Sequence, residues 1–397
     1  MKKYLPIILI YLTSIGLSDF YSDRFLIYID NSISLFEINE NTGRTNLEEL
    51  DQKMDEIGAS GIHQWLSYAR PTDRDGDTYL NRYYVIQFNS SRSDIQALVK
   101  NVESLQSIRT SEIMTINRPT YIPNDPRWNQ QWYLPNIEAD LAYDLWDIDG
   151  GQIPGQIEGG EIIVGIVDDA SDWDHPDLIN NIWQNLGEDA DGDGVVLVQS
   201  GNSWVFDSGD VNGVDDDDDG YIDNFIGWDM ADDDNNPIYP SNNLSHGTSV
   251  AGCVSGSTNN GAGIASVGWS VKLMPFRCSE NGEYIEYGYN GILAAAQMGA
   301  NVINCSWGGF GGGNQSVINS AYNNYGCIIV ASAGNGDADG NTNFDYHAPS
   351  GLNNVLSVTA TGSGDNFGCW ATAGTTVDLC APGENIMTTS LNGGYGA

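Results

Sequence analysis

The sequence predicts an α/β fold, in which a small α+β domain precedes a doubly wound, mostly parallel sheet. Short apolar runs, rich in β-branched residues, recur after about residue 160, as in parallel strands buried on both faces. Helical patterns alternate with these runs, which is the arrangement of a doubly wound sheet. A length of 397 residues exceeds one average domain, so we expect a large domain with a smaller companion.

Residues 1–18 have the pattern of a secretory signal peptide. Lys2 and Lys3 precede an apolar run from about Leu5 to Leu12, and small residues follow up to Ser18. The alternative, a membrane anchor, is disfavoured because the run is too short to span a bilayer comfortably. No later stretch approaches this degree of apolarity over the length of a span. We therefore predict a secreted, extracellular protein whose mature form has no membrane segment.

Residues 19–118 form the predicted α+β domain. The runs RFLIYI and YYVIQF indicate strands, and SLQSIRTSEIMTI has an extended pattern. The segment TNLEELDQKMDEIG predicts a helix with Thr45 and Glu48 as its capping box. A second helix is predicted over SRSDIQALVKNVESL, with Ser93 and Gln96 as its cap. The following stretch, NRPTYIPNDPRW, is typical of a linker.

Residues 119–397 supply the predicted parallel sheet. Its strands are EIIVGIV, VKLMPF, NVINCS, CIIVAS and VLSVTA, and helices are expected after His246, over GYNGILAAAQMGA and over SVINSAYNNYG. In such sheets, functional groups collect where strands end and loops begin. Asp168 ends the first strand, His246 opens a helix and Asn335 follows a later strand. We therefore expect all three at one edge of the sheet.

Asp168, His246 and Asn335 together indicate a hydrolytic site. Each alone is more simply explained as a loop aspartate, a structural histidine or a turn asparagine. Together they supply a base, a carboxylate that fixes its tautomer and an amide donor for an oxyanion, three of the four parts of a serine hydrolase. A metal-dependent hydrolase built on His246 is disfavoured, since no second histidine lies at ligand spacing.

The segments that carry these residues resemble those of subtilisin-family (subtilase) serine proteases. VDDASDWDHPDL resembles the aspartate motif, SHGTSVAG the histidine motif and IIVASAGNGD the oxyanion-asparagine motif. NVINCSWGG and VDLCAPGENI match two further segments, so the resemblance covers most of residues 120–397 in the order of the family. It implies a subtilisin-like fold and a precursor of an endopeptidase that acts on polypeptide substrates.

The resemblance implies a role for each matching residue. Asp168 would orient His246, which would take the proton of the nucleophile, and Asn335 would donate to the oxyanion. The residues expected to contact substrate are Ser306, Trp307, Gly308, Ala333 and Gly334. Two positions depart from the family. Asp169 and Ala170 follow the aspartate where Thr or Ser and then Gly are commoner, and Trp307 replaces a smaller apolar residue.

The resemblance also implies a function for residues 19–118 and for the final segment of the chain. Residues 19–118 would be a propeptide that assists folding and acts as an intramolecular inhibitor until it is cleaved around residues 117–124. The final segment, MTTSLNGGYGA, resembles the approach to the Gly-Thr-Ser of the family, so we expect the nucleophile about five residues beyond Ala397. No serine present follows glycine at the start of an apolar helix. The alternative is a non-catalytic, calcium-binding scaffold.

An acidic insertion over residues 185–230 predicts calcium loops. The spaced carboxylates are Asp189, Asp191 and Asp193 before Gly194, and Asp215, Asp217 and Asp219 before Gly220, with Asp223 further on. Position 12 holds Ser200 or Ile226 rather than glutamate, so the loops are not EF-hands. They are calcium loops of another kind or solvated acidic loops. Asp177 matches a calcium ligand of the family, which commonly uses calcium for stability.

Charge and cysteine content narrow the remaining possibilities. The formal charge is −39, from 54 acidic and 15 basic residues, which argues against nucleic acid as a partner. All six cysteines lie in the second half of the chain. In an exported protein they can form disulfides, and fifteen pairings are open.

Overall fold

The computed structural model describes residues 20–39, 42–115, 121–157, 160–238, 246–310, 313–336, 347–366 and 370–397. The predicted signal peptide and Cys369 lie outside these ranges. The chain divides into two compact units, Met1–Pro119 and Thr120–Ala397. Within the ranges described, no helix combines the length and the apolar character needed to cross a membrane.

The first unit is an antiparallel sheet covered by two helices. Its strands are β1 (Phe20–Ile29), β2 (Gly61–Gln64), β3 (Arg74–Asp75), β4 (Thr78–Tyr79), β5 (Tyr83–Gln87) and β6 (Ile108–Thr115), and its helices are α1 (Glu48–Ile57) and α2 (Ile95–Val102). The main sheet has the order β2-β5-β1-β6. Apolar side chains of both helices, such as Leu50 and Val102, are buried in one core with Phe25 and Ile86 of the sheet. Both predicted strands and both predicted helices are present.

The capping pairs expected for the two helices are wrong. Leu47 precedes α1 without a side-chain cap, and Thr45 pairs with Asp51 rather than with Glu48. The hydroxyl of Thr45 accepts from the backbone N–H of Leu47 at 3.1 Å, and the N–H of Thr45 donates to Asp51 at 2.9 Å. Asp94 precedes α2, also without a cap hydrogen bond. At α1, the carboxylate of Asp51 displaced the pairing of Thr45 with Glu48 that the sequence suggested.

The second unit contains a parallel sheet of seven strands. The strands of the whole second unit, inside and outside this sheet, are β7 (Gln156–Ile157), β8 (Gly160–Glu161), β9 (Ile163–Asp168), β10 (Leu197–Ser200), β11 (Ser203–Phe206), β12 (Trp228–Asp229), β13 (Lys272–Arg277), β14 (Val302–Cys305), β15 (Gly309–Phe310), β16 (Ile328–Ser332), β17 (His347–Ala348), β18 (Val355–Thr361), β19 (Leu379–Pro382), β20 (Thr388–Ser390) and β21 (Gly394–Gly396). Its helices are α3 (Tyr133–Asn136), α4 (Ala139–Tyr143), α5 (His246–Ser255), α6 (Gly288–Gln297) and α7 (Gln315–Asn323). The sheet order is β12-β13-β9-β14-β16-β18-β19, and every neighbouring pair is parallel. The five predicted runs are all members of this sheet.

The position of β9 determines where the site forms. The chain enters the sheet at β9, adds strands on one side of it and then crosses to the other side. Such a switch point opens a crevice at the carboxyl ends of the strands. Asp168 is the last residue of β9, so its carboxylate lies at that edge of the sheet.

Helices cover both faces of the sheet. On one face, α6 and α7 bury Ile292 and Ile318 against Val167 and Phe276. On the other, Ala251 of α5 packs with Ile166 and neighbouring apolar residues. Each fully buried large apolar side chain contributes about 1.5–3 kcal/mol relative to exposure. The five cysteines in the described residues are free thiols, so disulfides among them do not hold this core.

Candidate active site

Asp168 and His246 form a hydrogen-bonded pair at the edge of the sheet. The Oδ1 atom of Asp168 lies 2.8 Å from Nδ1 of His246 and also accepts from the backbone N–H of Asp169 at 2.8 Å. Asp168 is 1% exposed, whereas the side chain of His246 is 59% exposed. A buried carboxylate thus supports an imidazole that faces solvent.

Electrostatics within the pair favour the charged imidazole. The hydrogen bond to Asp168 raises the pKa of His246 to about 9, and burial acts in the opposite direction. Burial raises the pKa of Asp168, and the bond with His246 partly offsets this effect. An ionised carboxylate can only accept, so Nδ1 carries a proton and Nε2 of the neutral ring is left as the base.

Asp169 fixes the start of the helix that carries His246. Its carboxylate accepts from the backbone N–H of His246 at 2.9 Å and of Gly247 at 2.8 Å, and Asp169 is only 3% exposed. A carboxylate at a helix N-terminus satisfies free N–H groups and complements the helix dipole. The departure from the family pattern noted at this position is therefore a helix cap.

Close contacts hold α5 in place on two sides. At Gly247, an added Cβ would collide with the carbonyl oxygen of Ala170, so only glycine permits this approach. Further along, the hydroxyls of Thr388 and Thr389 donate to the carbonyls of Ser249 and Thr248 at 2.7 and 2.6 Å. Strand β20 therefore helps to set the position of the histidine.

Asn335 lies on the loop after β16, exposed at the same edge of the sheet. The buried hydroxyl of Thr372 binds the backbone on both sides of it, donating to Gly334 O at 2.6 Å and accepting from Gly336 N at 3.1 Å. The N–H of Ala333 also donates to Val358 O at 2.8 Å. The backbone that presents Asn335 is thus anchored before and after the residue.

One open cavity brings His246 and Asn335 together. It has a volume of about 790 Å³, and its wall also includes Ser306, Ala333 and Gly334. Trp307 and Gly308 line an adjoining cavity of about 460 Å³, which shares Ser306, Gly334 and Asn335 with the first. All five residues expected to contact substrate therefore lie along two connected depressions.

The wall of the smaller cavity has features that the sequence did not predict. Trp307 donates from Nε1 to Val167 O at 2.8 Å and packs edge-on against Tyr289, with ring centroids 5.7 Å apart. The ring of His347, 4% exposed, lies against Gly308 and is bonded through Nδ1 to Ser350 at 2.8 Å. His347 had no motif around it, so no sequence signal marked it.

Two groups of carboxylates in the acidic insertion are close enough to bind a metal ion. Glu188, Asp215 and Asp217 form one group, and Asp189, Asp191 and Asp210 form the other. In each group, one oxygen per residue lies within 4.8 Å of the others. Glu188 and Asp210, both fully buried, were missed because they lie outside the regular spacing. Burial raises the pKa of both.

The remaining predicted ligands lie outside these groups. Their carboxylates accept hydrogen bonds from protein donors: Asp193 from Val195 N, Asp219 from Tyr221 N, Asp223 from Gly213 N, and Asp177 from Asn260 Nδ2 and Ile264 N. Asp125, which the sequence did not single out, is nearly buried near Asp177. Burial, with the nearby charge of Asp177, raises the pKa of Asp125 to about 6.

Comparison with known proteins gives consistent matches. The Subtilase family model matches residues 159–396. Thermitase of Thermoactinomyces vulgaris is 32% identical over 68% of this chain and 76% of its own length. An extracellular basic protease of Dichelobacter nodosus is 30% identical over 74% of this chain and 46% of its own length. A thermophilic serine proteinase of Bacillus sp. (strain AK1) is 27% identical over 89% of this chain and 70% of its own length. The chain thus spans three quarters of thermitase but about half of the extracellular protease.

Proposed function

Because the chain belongs to the subtilase family, we propose that it is the precursor of an extracellular, calcium-stabilised serine endopeptidase that hydrolyses polypeptides. The observation that carries the proposal is the 2.8 Å contact between Asp168 and His246 on a cavity that also contains Asn335. Asp–His pairs with an adjacent amide donor are suited to acyl transfer.

The proposed mechanism assigns one task to each of these residues. Asp168 holds the Nδ1–H tautomer of His246, so Nε2 takes the proton of the attacking hydroxyl and later protonates the leaving amine. The side-chain amide of Asn335 donates to the oxygen that becomes negative in the tetrahedral intermediate. The segment from Ser306 to Gly308 pairs with the substrate backbone as an added strand.

The nucleophile is proposed to be a serine encoded after Ala397. Among the residues described, no serine is hydrogen-bonded to the imidazole of His246, although Ser249, Ser306 and Ser390 line the same cavity. Ser249 donates to Thr389 O, and Ser306 accepts from Asn304, so both have other partners.

The other parts of the precursor follow from the same proposal. Residues 1–18 direct export, which agrees with the extracellular names of several relatives. Residues 19–118 are the propeptide, which assists folding and inhibits the mature domain. Calcium bound by the acidic insertion stabilises the folded state, since an ion that binds only this state opposes unfolding. The carboxylate clusters provide oxygen ligands of the kind that calcium prefers.

The test compares catalytic and control histidines in a chain extended through the following codons. His246→Ala should abolish cleavage of an unfolded protein substrate and leave the circular dichroism spectrum unchanged. His63→Ala is the matched control, because His63 is exposed in the first unit and should retain activity. Hydrolysis by the His246 variant would refute the assignment. A gene without Gly-Thr-Ser after Ala397 would support a non-catalytic scaffold instead.

A further inference from the structure

The base of the β10–β11 hairpin brings together three carboxylates from distant positions. Asp189 and Asp191 precede β10, and Asp210 follows β11. One oxygen from each lies within 4.8 Å of the others. Gly209 makes this approach possible, because an added Cβ there would collide with the carboxylate of Asp191. The hairpin therefore begins and ends at one cluster of negative charge.

Asp210 is the buried member of the cluster, and one of its two carboxylate oxygens has no hydrogen-bond partner within the described ranges. It is fully buried, and its Oδ1 accepts a long hydrogen bond of 3.3 Å from Asp191 N. Its Oδ2 is buried and has no hydrogen-bond partner among the residues described. A buried charge without a partner is costly, and a cation bound between the three carboxylates would satisfy it.

We propose that Asp189, Asp191 and Asp210 bind one calcium ion that closes the base of the β10–β11 hairpin. All three ligands supply oxygen, which selects a hard cation. Calcium accepts irregular sets of carboxylates and completes its shell with water, whereas magnesium requires nearly ideal octahedral geometry. Asp191 is exposed, which leaves room for water on one side. Asp210 takes the place of the carboxylate that the first acidic loop lacks at its twelfth position.

The ion would also support the loop that follows Asp168. Phe206, at the end of β11, stacks on Trp173 with ring centroids 5.4 Å apart and an interplanar angle of 10°. Trp173 belongs to that loop, and its Nε1 donates to Asn236 at 2.9 Å. Val196 and Leu197, at the start of the hairpin, are buried in the same core as Trp173. Loss of the ion should therefore loosen the hairpin and its contact with the loop.

The test counts ions and does not depend on proteolysis, so it stands even when the proposed catalytic function fails. Native mass spectrometry of the chain in calcium should show one ion fewer for Asp210→Asn and for Asp191→Asn. Asp191 is exposed, so its variant keeps the test valid when Asp210→Asn does not fold. Asp218→Asn is the control, since it removes an equal charge from the same insertion at an exposed position outside both clusters.

Hydrogen exchange gives the second readout. In the parent chain, chelation should speed amide exchange in peptides covering residues 168–178 and 195–211. In Asp191→Asn, exchange in these peptides should already be fast in calcium and should change little on chelation. A full ion count in both ligand variants would overturn the proposal, and so would the same loss of an ion in Asp218→Asn.

Discussion

The helix cap that Asp169 forms on α5 predicts a loss of folding stability whose magnitude can be worked out from its hydrogen bonds. In Asp169→Asn, one carboxylate oxygen becomes an amide NH₂ that cannot accept from the backbone of His246 or Gly247. One hydrogen bond to a charged group contributes about 1.5–3 kcal/mol, and the lost helix-dipole interaction adds about 0.3–1 kcal/mol. We therefore expect the free energy of unfolding to fall by about 2–4 kcal/mol.

The same variant should change the titration of His246. The charge of Asp169 contributes to the raised pKa of the imidazole, so its removal should lower that pKa. Urea unfolding measures the first effect, and an NMR titration of the imidazole measures the second. Asp174→Asn is the control, because it changes a carboxyl group of the same loop that hydrogen-bonds Asp172 rather than α5. A variant within about 0.5 kcal/mol of the parent, with an unchanged pKa, would refute the cap.

Three further results are expected. On the proposed function, hydrolysis by the extended chain should increase with pH through the alkaline range, because His246 would act as a base only when neutral and its pKa is raised to about 9. A flat profile of kcat/KM over that range would contradict this. The same raised pKa stabilises the folded chain below about pH 6.5, and this contribution is lost as pH rises through about 9, so the stability difference between the parent and His246→Ala should shrink over that window. Thr372→Val removes both hydrogen bonds beside Asn335, each contributing about 0.5–1.5 kcal/mol, and should reduce kcat by roughly tenfold, whereas Thr372→Ser should retain it. Gly308→Ala should lower the free energy of unfolding by about 1–3 kcal/mol, because the added methyl group would overlap the ring of His347. Gly309→Ala should leave it unchanged, because a Cβ there meets nothing within 4 Å.

The sequence predicted the parallel sheet and the Asp–His pair because both depend on local patterns. Each buried strand is a continuous apolar run, and the order of strands then places Asp168 at the switch point of the sheet. The hydrogen bond between Asp168 and His246 joins residues far apart in the chain. It could be expected because one residue ends a strand and the other opens a helix at the same edge of the sheet, and the family motifs supported the pairing.

The parts that the sequence missed depend on tertiary contacts. The spacing of aspartates in the insertion is local, but Glu188 and Asp210 join the clusters from outside that spacing. Asp193 and Asp219 share the spacing but lie outside both clusters, although their carboxylates accept from the backbone of their own turns, as that of Asp189 does. Asp169 was noted only as a departure from the family, because nothing in sequence indicated that its carboxylate meets the N-terminus of α5.

Asp168 and Asn335 lie on parts of the fold that we expect to differ in their resistance to heat. Asp168 ends a strand that has neighbours on both sides in the middle of the sheet, so its backbone should open only when the whole unit unfolds. Asn335 lies on a loop anchored by the hydroxyl of Thr372 and by the bond from Ala333 N to Val358 O, and such a loop opens at a lower free energy than a central strand. Mild heating should therefore displace Asn335 while Asp168 and His246 remain paired, so on the proposed function inactivation would precede unfolding and would reverse on cooling.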